Sequence, residues 1–259
     1  MKIIMEETNR NSIRINRFLA KCGLGSRRAC EKYINSGRVT VNGVIVTALS
    51  FQVNPDKDNV LIDGQPASIL EKEHNIILNK PKGYIVSREA QGGKSVFDLL
   101  KGFPKNLQYA GRLDADSEGL LFLSTNGEII LRLTHPRYKT SKIYLVTTDR
   151  LLTEEALSHF RKGVALDDGT TQPAQIDLIR DAPPGYRIIL HEGRNRQIRR
   201  MMEALGYKVF RLTRVAFGLL NLGNLKRGDF RPLTDNELWK LKRNLKIKET
   251  PQGASGKET

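Results

Sequence analysis

Three carboxylates, Asp114, Asp116 and Glu118, crowd into five residues of the segment GRLDADSEGLLFLSTNG, which spans 111–127. An acidic turn between two apolar runs can hold a metal ion, present a carboxylate to a substrate, or simply reverse the chain. Calcium fails on spacing. A calcium loop starting at Asp114 needs a bidentate Glu at its twelfth position, which here is Thr125, and it needs a helix on each side. Zinc fails on ligands, because the two cysteines, Cys22 and Cys30, lie far from this turn and have no His pair at ligand spacing nearby. Cys30 shares an apolar helical face with Tyr33 and Ile34, which reads as core packing. No metal is expected. Spacing alone leaves the turn as either a reactive carboxylate or a plain reversal between strands.

A reactive carboxylate must stay ionised while water is kept away, and burial raises its pKa. A neighbouring guanidinium restores the charged form through a charge-assisted pair. HEGRNRQIRRMMEALG, 191–206, offers Arg194, Arg196, Arg199 and Arg200 around the helical stripe Ile198, Met201, Met202 and Leu205, closed by Gly206. Tyr144 in SKIYLV, 141–146, is an aromatic ring in an apolar run and by residue type alone reads as core. In LNKPKGYIVS, 78–87, a strand enters a Lys-Pro-Lys-Gly turn whose shape is set by Pro81 and Gly83. Lys80 and Lys82 read equally well as contacts to an anionic partner and as solvated turn residues. Neither a G-x-G-x-x-G loop nor a phosphate-loop signature is present, so no nucleotide cofactor is expected.

The elements that must position these residues follow from periodicity. From about 75 to 245, short β-like runs (NIILN, YIV, GLLFLST, KIYLVTT, YRIILHEG, KVFRLTRVAFG) are interleaved with helical stretches (EIILRLTHP, TEEALSHFRKG, RQIRRMMEALG). Without regular βαβ alternation, this predicts an α+β domain with a mixed or antiparallel sheet. Residues 13–66 form a separate small module. Ile15, Phe18, Leu19 and Cys22 make one helical stripe, and a second helix runs from an N-cap at Ser26 to a stop at Gly37. VTVNGVIV then places two β-branched runs around Asn42-Gly43, a strong hairpin signal. Residues 67–74 read as a connector, and 1–12 and 246–259 have the composition of disorder.

The formal charge of +15, from 43 Lys and Arg against 28 Asp and Glu, favours a polyanionic partner. No amphipathic anchor, membrane-length apolar run or signal peptide is evident, so a cytoplasmic protein that binds nucleic acid is expected and no membrane role is.

RFLAKCGLGSRRACEKYINSGRVTVNG, from Arg17 to Gly43, resembles the S4 RNA-binding module, with LGSRR, SGRV and VNG in order. The resemblance implies that Arg27, Arg28, Lys32 and Arg38 grip RNA phosphates. GRLD followed by GLLFLSTNG is similar to the signature of pseudouridine synthases that modify ribosomal RNA, and KPKG, KIYLV and EGRNRQIRRM match its further motifs in order over about residues 13–235. By that resemblance Asp114 is the essential carboxylate and Arg199, just after Gln197-Ile198, is its basic partner. Tyr144 packs on the uracil or assists proton transfer. Asp116 and Glu118 are left to the turn. Arg112, Arg194, Arg196 and Arg200, with Lys80 and Lys82, are left to RNA phosphates.

The resemblance leans towards synthases of the large subunit, so the expected partner is 23S ribosomal RNA, free or in an assembly particle, bound by a monomer without a cofactor. Two alternatives stand beside it: a 16S synthase of the same architecture, and a non-catalytic assembly factor on a retired enzyme scaffold. A retired site would have lost its carboxylate or arginine, whereas Asp114, Tyr144 and Arg199 are all in place.

Overall fold

The computed structural model describes residues 11–70, 72–89 and 92–247. Most of the 1–12 and 246–259 segments expected to be disordered therefore lies outside the described residues. The chain divides into two compact units, one of residues 1–74 with 102–108 and the other of 75–101 with 109–259.

In the first unit, helix α1 (Ile15–Lys21) and helix α2 (Arg27–Asn35) pack their apolar stripes together, with Ile15, Leu19, Cys30 and Ile34 fully buried. The Ser26 hydroxyl accepts the Ala29 amide at the start of α2, which is the cap that the sequence predicts. Gly37 takes φ +69° at the far end and donates its amide to the Ile34 carbonyl. Asn42 and Gly43 both adopt positive φ, as a type I′ hairpin turn requires, and connect Val39–Val41 to Val44–Ile45. A third strand, Val60–Ile62, pairs with Val39–Val41 on its other side. Residues 102–108, which the sequence assigns to the second domain, group with this unit, and the Asn106 amide donates to the Ala20 carbonyl of α1. That hydrogen bond spans 86 residues of sequence, so no local pattern announces it.

The second unit is built on a nine-stranded mixed sheet. Its path runs Gln175–Arg180, Gly185–Leu190, Lys142–Thr148, Val209–Phe217, Glu118–Ser124, Asn75–Lys80, Phe230–Pro232. All neighbours on this path are antiparallel except the central pair, Glu118–Ser124 with Val209–Phe217. Helix α4 (Glu154–Lys162) and helix α5 (Gln197–Ala204) bury Leu157, Phe160, Ile198, Met201 and Met202 against one core. Helix α3 (Gly127–Thr134) and helix α6 (Asp235–Asn244) cover another around Ile77, Leu120, Phe122 and Phe217. Lys246 and Ile247 are described and close α6, with the Ile247 amide donating to the Lys242 carbonyl. No helix among the described residues is long and apolar enough to cross a membrane.

The central strands align the motifs. Lys80 faces Gly119, Gly119 faces Arg214, Arg214 faces Tyr144, and Tyr144 faces Ile188, one row across five strands. Adjacent strands lie about 4.8 Å apart, so this row gathers five distant segments within roughly 20 Å.

Candidate active site

The acidic turn joins the end of one strand at Ala110 to the start of Glu118–Ser124. Two backbone features shape it. Gly111 takes φ +68°, and Gly119 takes φ +106° where the parallel pair closes up. A Cβ at Gly119 would sit 2.3 Å from the Arg214 carbonyl oxygen, so only glycine permits this approach.

The turn is fastened from below by the Lys-Pro-Lys-Gly segment. Lys80 is fully buried, and its Nζ donates to the carbonyls of Pro81 (3.1 Å), Asp114 (3.0 Å) and Ser117 (2.7 Å). The Gly83 amide donates to Ala115 O at 2.7 Å, and Ser117 N donates to Asp114 O at 3.1 Å. Burial lowers the Lys80 pKa to about 8, partly offset by the charges of Asp114, Asp116 and Glu118. The sequence offers Lys80 as a phosphate contact. The structure makes it an internal anchor of the turn, because three carbonyls converge where solvent cannot reach.

Above that anchor stands the Asp114 carboxylate, with its side chain 33% exposed. Arg196 approaches it to 4.0 Å and spans both oxygens of Asp116 with bonds of 3.2 and 3.0 Å. Arg196 holds a left-handed backbone, φ +47° and ψ 32°, at the N-cap of α5, a strained conformation for a non-glycine residue. Burial raises the Asp116 pKa, but the Arg196 hydrogen bonds and the Arg199 charge outweigh it and hold the carboxyl below its ordinary value. The same bonds raise the pKa of Arg196.

Arg199 meets a partner other than the expected one. Its Nη2 donates to Asp116 O at 3.1 Å and its Nη1 to Val209 O at 3.0 Å. Its Nε lies 3.1 Å from Asp116 Oδ2, an ion contact without the alignment of a hydrogen bond. The arginine expected on Asp114 thus grips Asp116, and Arg196, one turn earlier, is the one beside Asp114. Asp116 is accordingly more than a turn residue. Tyr144 is half-buried and leans on the core under α4 and α5, directly across from Arg214 and two strands from Gly119.

Two of the expected phosphate contacts are already committed elsewhere. Arg200 bonds Asp167 at 2.6 Å and Asp168 at 2.7 Å, and its hydrogen bonds hold the Asp168 carboxyl down to about 2. Arg194 bonds the carbonyls of Asp168, Gly169 and Thr170 and approaches Glu192. Arg200 ties the 167–170 loop to α5, Arg194 ties it to the turn before α5, and both are spent in doing so. Arg38 pairs with both oxygens of Asp63 and lies over the Tyr33 ring, so its charge is partly neutralised. Arg27, Arg28 and Lys32 project from α2 as exposed cations, and Arg112 is exposed beside Asp114. Lys82 is exposed, with Nζ 3.3 Å from the Phe210 carbonyl.

Sequence reasoning missed Glu118 and Arg214. Glu118 is buried at the first position of its strand, between Arg211 and Arg227. Arg214 is buried, its Nε donates to Leu120 O at 2.8 Å, and its guanidinium lies over Phe217. The available signal was a charged residue inside the apolar run LTRVAF. Among the described residues, no group of three or more His, Cys, Asp or Glu side chains is placed to hold a metal ion.

Residues 74–204 match the family described as RNA pseudouridylate synthase, and residues 13–59 match the S4 domain. The chain belongs to that synthase family. It is 39% identical over 93% of its length to an RNA pseudouridine synthase of Aquifex aeolicus, covering 98% of that protein. The ribosomal large subunit pseudouridine synthase B of Bacillus subtilis is 36% identical, with 88% of this chain and 95% of that one aligned. A crystal structure of a pseudouridylate synthase superposes with a TM-score of 0.64 at 30% identity, covering 88% of this chain and 99% of the other. The chain is therefore an isomerase of RNA uridines, built from an S4 module and a synthase domain with a mixed sheet.

Proposed function

We propose that the protein converts a uridine of 23S ribosomal RNA to pseudouridine, as a cytoplasmic monomer, with Asp114 as nucleophile. The observation that carries this reading is the setting of Asp114: a partly exposed carboxylate on a turn held from beneath by Lys80 and Gly83, with a guanidinium 4.0 Å away. Attack by the carboxylate on the uracil ring or on the ribose leads to cleavage of the N1–C1′ bond. The freed base turns, C5 bonds to C1′, the bond between the carboxylate and the nucleotide breaks and returns its electron pair to Asp114, the proton leaves C5, and N1 gains one. Atoms and electrons balance within the nucleotide. The Arg196–Asp116–Arg199 group keeps positive charge beside the reacting carboxylate. Tyr144 receives the face of the uracil. Flipping the base out costs a few kcal/mol, least at an unpaired position, so a loop or helix edge is the target. The exposed cations of α2 offset that cost by holding neighbouring RNA. The large-subunit name of the Bacillus subtilis relative supports 23S over 16S RNA.

The test is incubation with unmodified 23S and 16S transcripts, without added cofactor, followed by mapping of pseudouridine at nucleotide resolution. A new pseudouridine in 23S RNA is expected. Modification of 16S RNA alone would overturn the choice of subunit, and modification of neither RNA nor their precursor particles would overturn the reading.

A further inference from the structure

Glu118 is the most buried carboxylate near the turn, yet both of its partners face solvent. The Arg211 Nε donates to Oε1, and the Arg227 Nε lies 2.9 Å from Oε2. The Glu118 side chain is 3% exposed, whereas those of Arg211 and Arg227 are 49% and 54% exposed. Thr213 adds a hydroxyl bond of 3.1 Å to Oε1, which fixes the carboxylate further. Each arginine meets the carboxylate through Nε, and among the described residues neither Nη pair makes a hydrogen bond. One carboxylate between two guanidiniums leaves the group one positive charge over. A single phosphodiester carries the charge that would complete it.

The neighbouring residue supplies the second half. Arg211 pairs with Thr147 and Val209 pairs with Thr148, so Phe210 is an extra residue bulged out of the Val209–Phe217 strand. Its ring is 61% exposed, unusual for a phenylalanine in a sheet, and Lys82 Nζ rests on its carbonyl. On one side of it Val209 O accepts Arg199, and on the other Arg211 grips Glu118. The bulge thus presents an aromatic ring with no ring or cation partner among the described residues, between the arginine of the acidic turn and the Arg211–Arg227 pair.

We propose that Phe210, Arg211 and Arg227 form a subsite for single-stranded RNA next to the target uridine, with a phosphate held between the two guanidiniums and a base stacked on the Phe210 ring. It deepens the reading of the chain as an RNA-modifying enzyme and rests on that reading. Stacking on an aromatic ring tolerates any base, and a guanidinium fork suits a phosphate. The subsite therefore supplies position and affinity rather than base choice. A purely structural ion pair explains the buried carboxylate but explains neither the second exposed guanidinium nor the bulged ring.

The test compares wild type, Phe210→Ala and the double variant Arg211→Gln, Arg227→Gln. An unmodified ribosomal RNA fragment that wild type modifies serves as the probe, titrated at several salt concentrations. Phe210→Ala removes an exposed ring, and it should weaken RNA binding by roughly tenfold with an unchanged salt slope and near-normal kcat at saturation. The double variant should reduce the slope of log affinity against log salt by about 0.7 for each phosphate it no longer neutralises. Melting curves identify any double variant that fails to fold, in which case Phe210→Ala decides alone. Wild-type affinity and salt slope in folded variants, alongside normal turnover by wild type, would overturn the subsite. If wild type modifies no RNA at all, binding to the 23S transcript is compared instead. Weakened binding there would sustain the subsite while the catalytic reading fails.

Discussion

Lys80→Met keeps the length of the side chain and removes only the ammonium that fastens the acidic turn. The Asp114 carbonyl retains the Ser117 amide, so Pro81 and Ser117 are the two carbonyls that lose a donor. An orphaned buried acceptor costs about 1–3 kcal/mol, which makes roughly 2–6 kcal/mol for the pair. Against this, the lysine has no accessible surface, and burial holds its pKa at about 8 rather than 10.5. At about 1.4 kcal/mol per pKa unit, the buried ammonium carries a penalty of about 3 kcal/mol at neutral pH that methionine does not. The two effects largely cancel, and the stability of the variant at pH 7 should stay within about 3 kcal/mol of wild type. Catalysis has no such compensation, because the turn that aims Asp114 loses its anchor. kcat should fall on the order of 100-fold while RNA affinity holds.

The pH dependence follows from the same lysine. Between pH of about 8 and 10.5 it is neutral in the fold and charged in the unfolded chain, so the unfolded state binds more protons and wild-type stability gains as pH rises. Lys80→Met lacks that gain. The stability difference, wild type minus variant, should grow by up to about 3 kcal/mol between pH 7 and 10.5. Lys142, also lowered to about 8 by burial, is present in both proteins and drops out of the difference. Chemical denaturation at the two pH values with single-turnover kinetics at pH 7 measures all of this. A kcat within twofold of wild type, or a difference that stays flat with pH, would refute the anchoring role.

Arg199→Ala removes donors from Asp116 O and Val209 O and one charge beside Asp116, so kcat should drop at least tenfold, with Arg199→Lys in between. Wild-type turnover would show that Arg196 alone suffices. Arg194→Ala and Arg200→Ala should each lower the melting temperature by a few degrees, since both hold the 167–170 loop, yet leave the salt slope of RNA binding unchanged. A reduced slope would return them to the RNA contacts. Replacing Arg27 and Arg28 together by Ala should reduce that slope by roughly 1.4 to 1.8, depending on whether the bound segment is single- or double-stranded. An unaltered slope would remove α2 from the interface.

What was legible in the sequence was local. The stripe of Ile198, Met201 and Met202, the Ser26 cap and the Asn42-Gly43 turn depend on residues within one or two turns of each other, and each stands where its pattern placed it. The acidic turn and the arginine helix were likewise visible as segments. Which arginine meets which aspartate was not, because Arg196 and Arg199 both lie in the first turns of α5 and Asp114 and Asp116 are two residues apart. That pairing depends on how the left-handed Arg196 starts the helix, a tertiary outcome. The burial of Lys80, Glu118 and Arg214 was equally hidden, since each charge is compensated by groups 34 to 109 residues away. A lysine in a Lys-Pro-Lys-Gly turn looks solvated until a second loop crosses it.

Release of the C5 hydrogen tests the central claim most directly. RNA labelled with tritium at uracil C5 would be incubated with wild type and with Asp114→Asn under single-turnover conditions, and RNA binding measured beside it. Wild type should release tritium to water in step with pseudouridine formation. Asp114→Asn should bind RNA with nearly the same affinity and release none. Release at a measurable rate by the folded Asp114→Asn protein would contradict the account, since the carboxylate would not then be the group that performs the reaction.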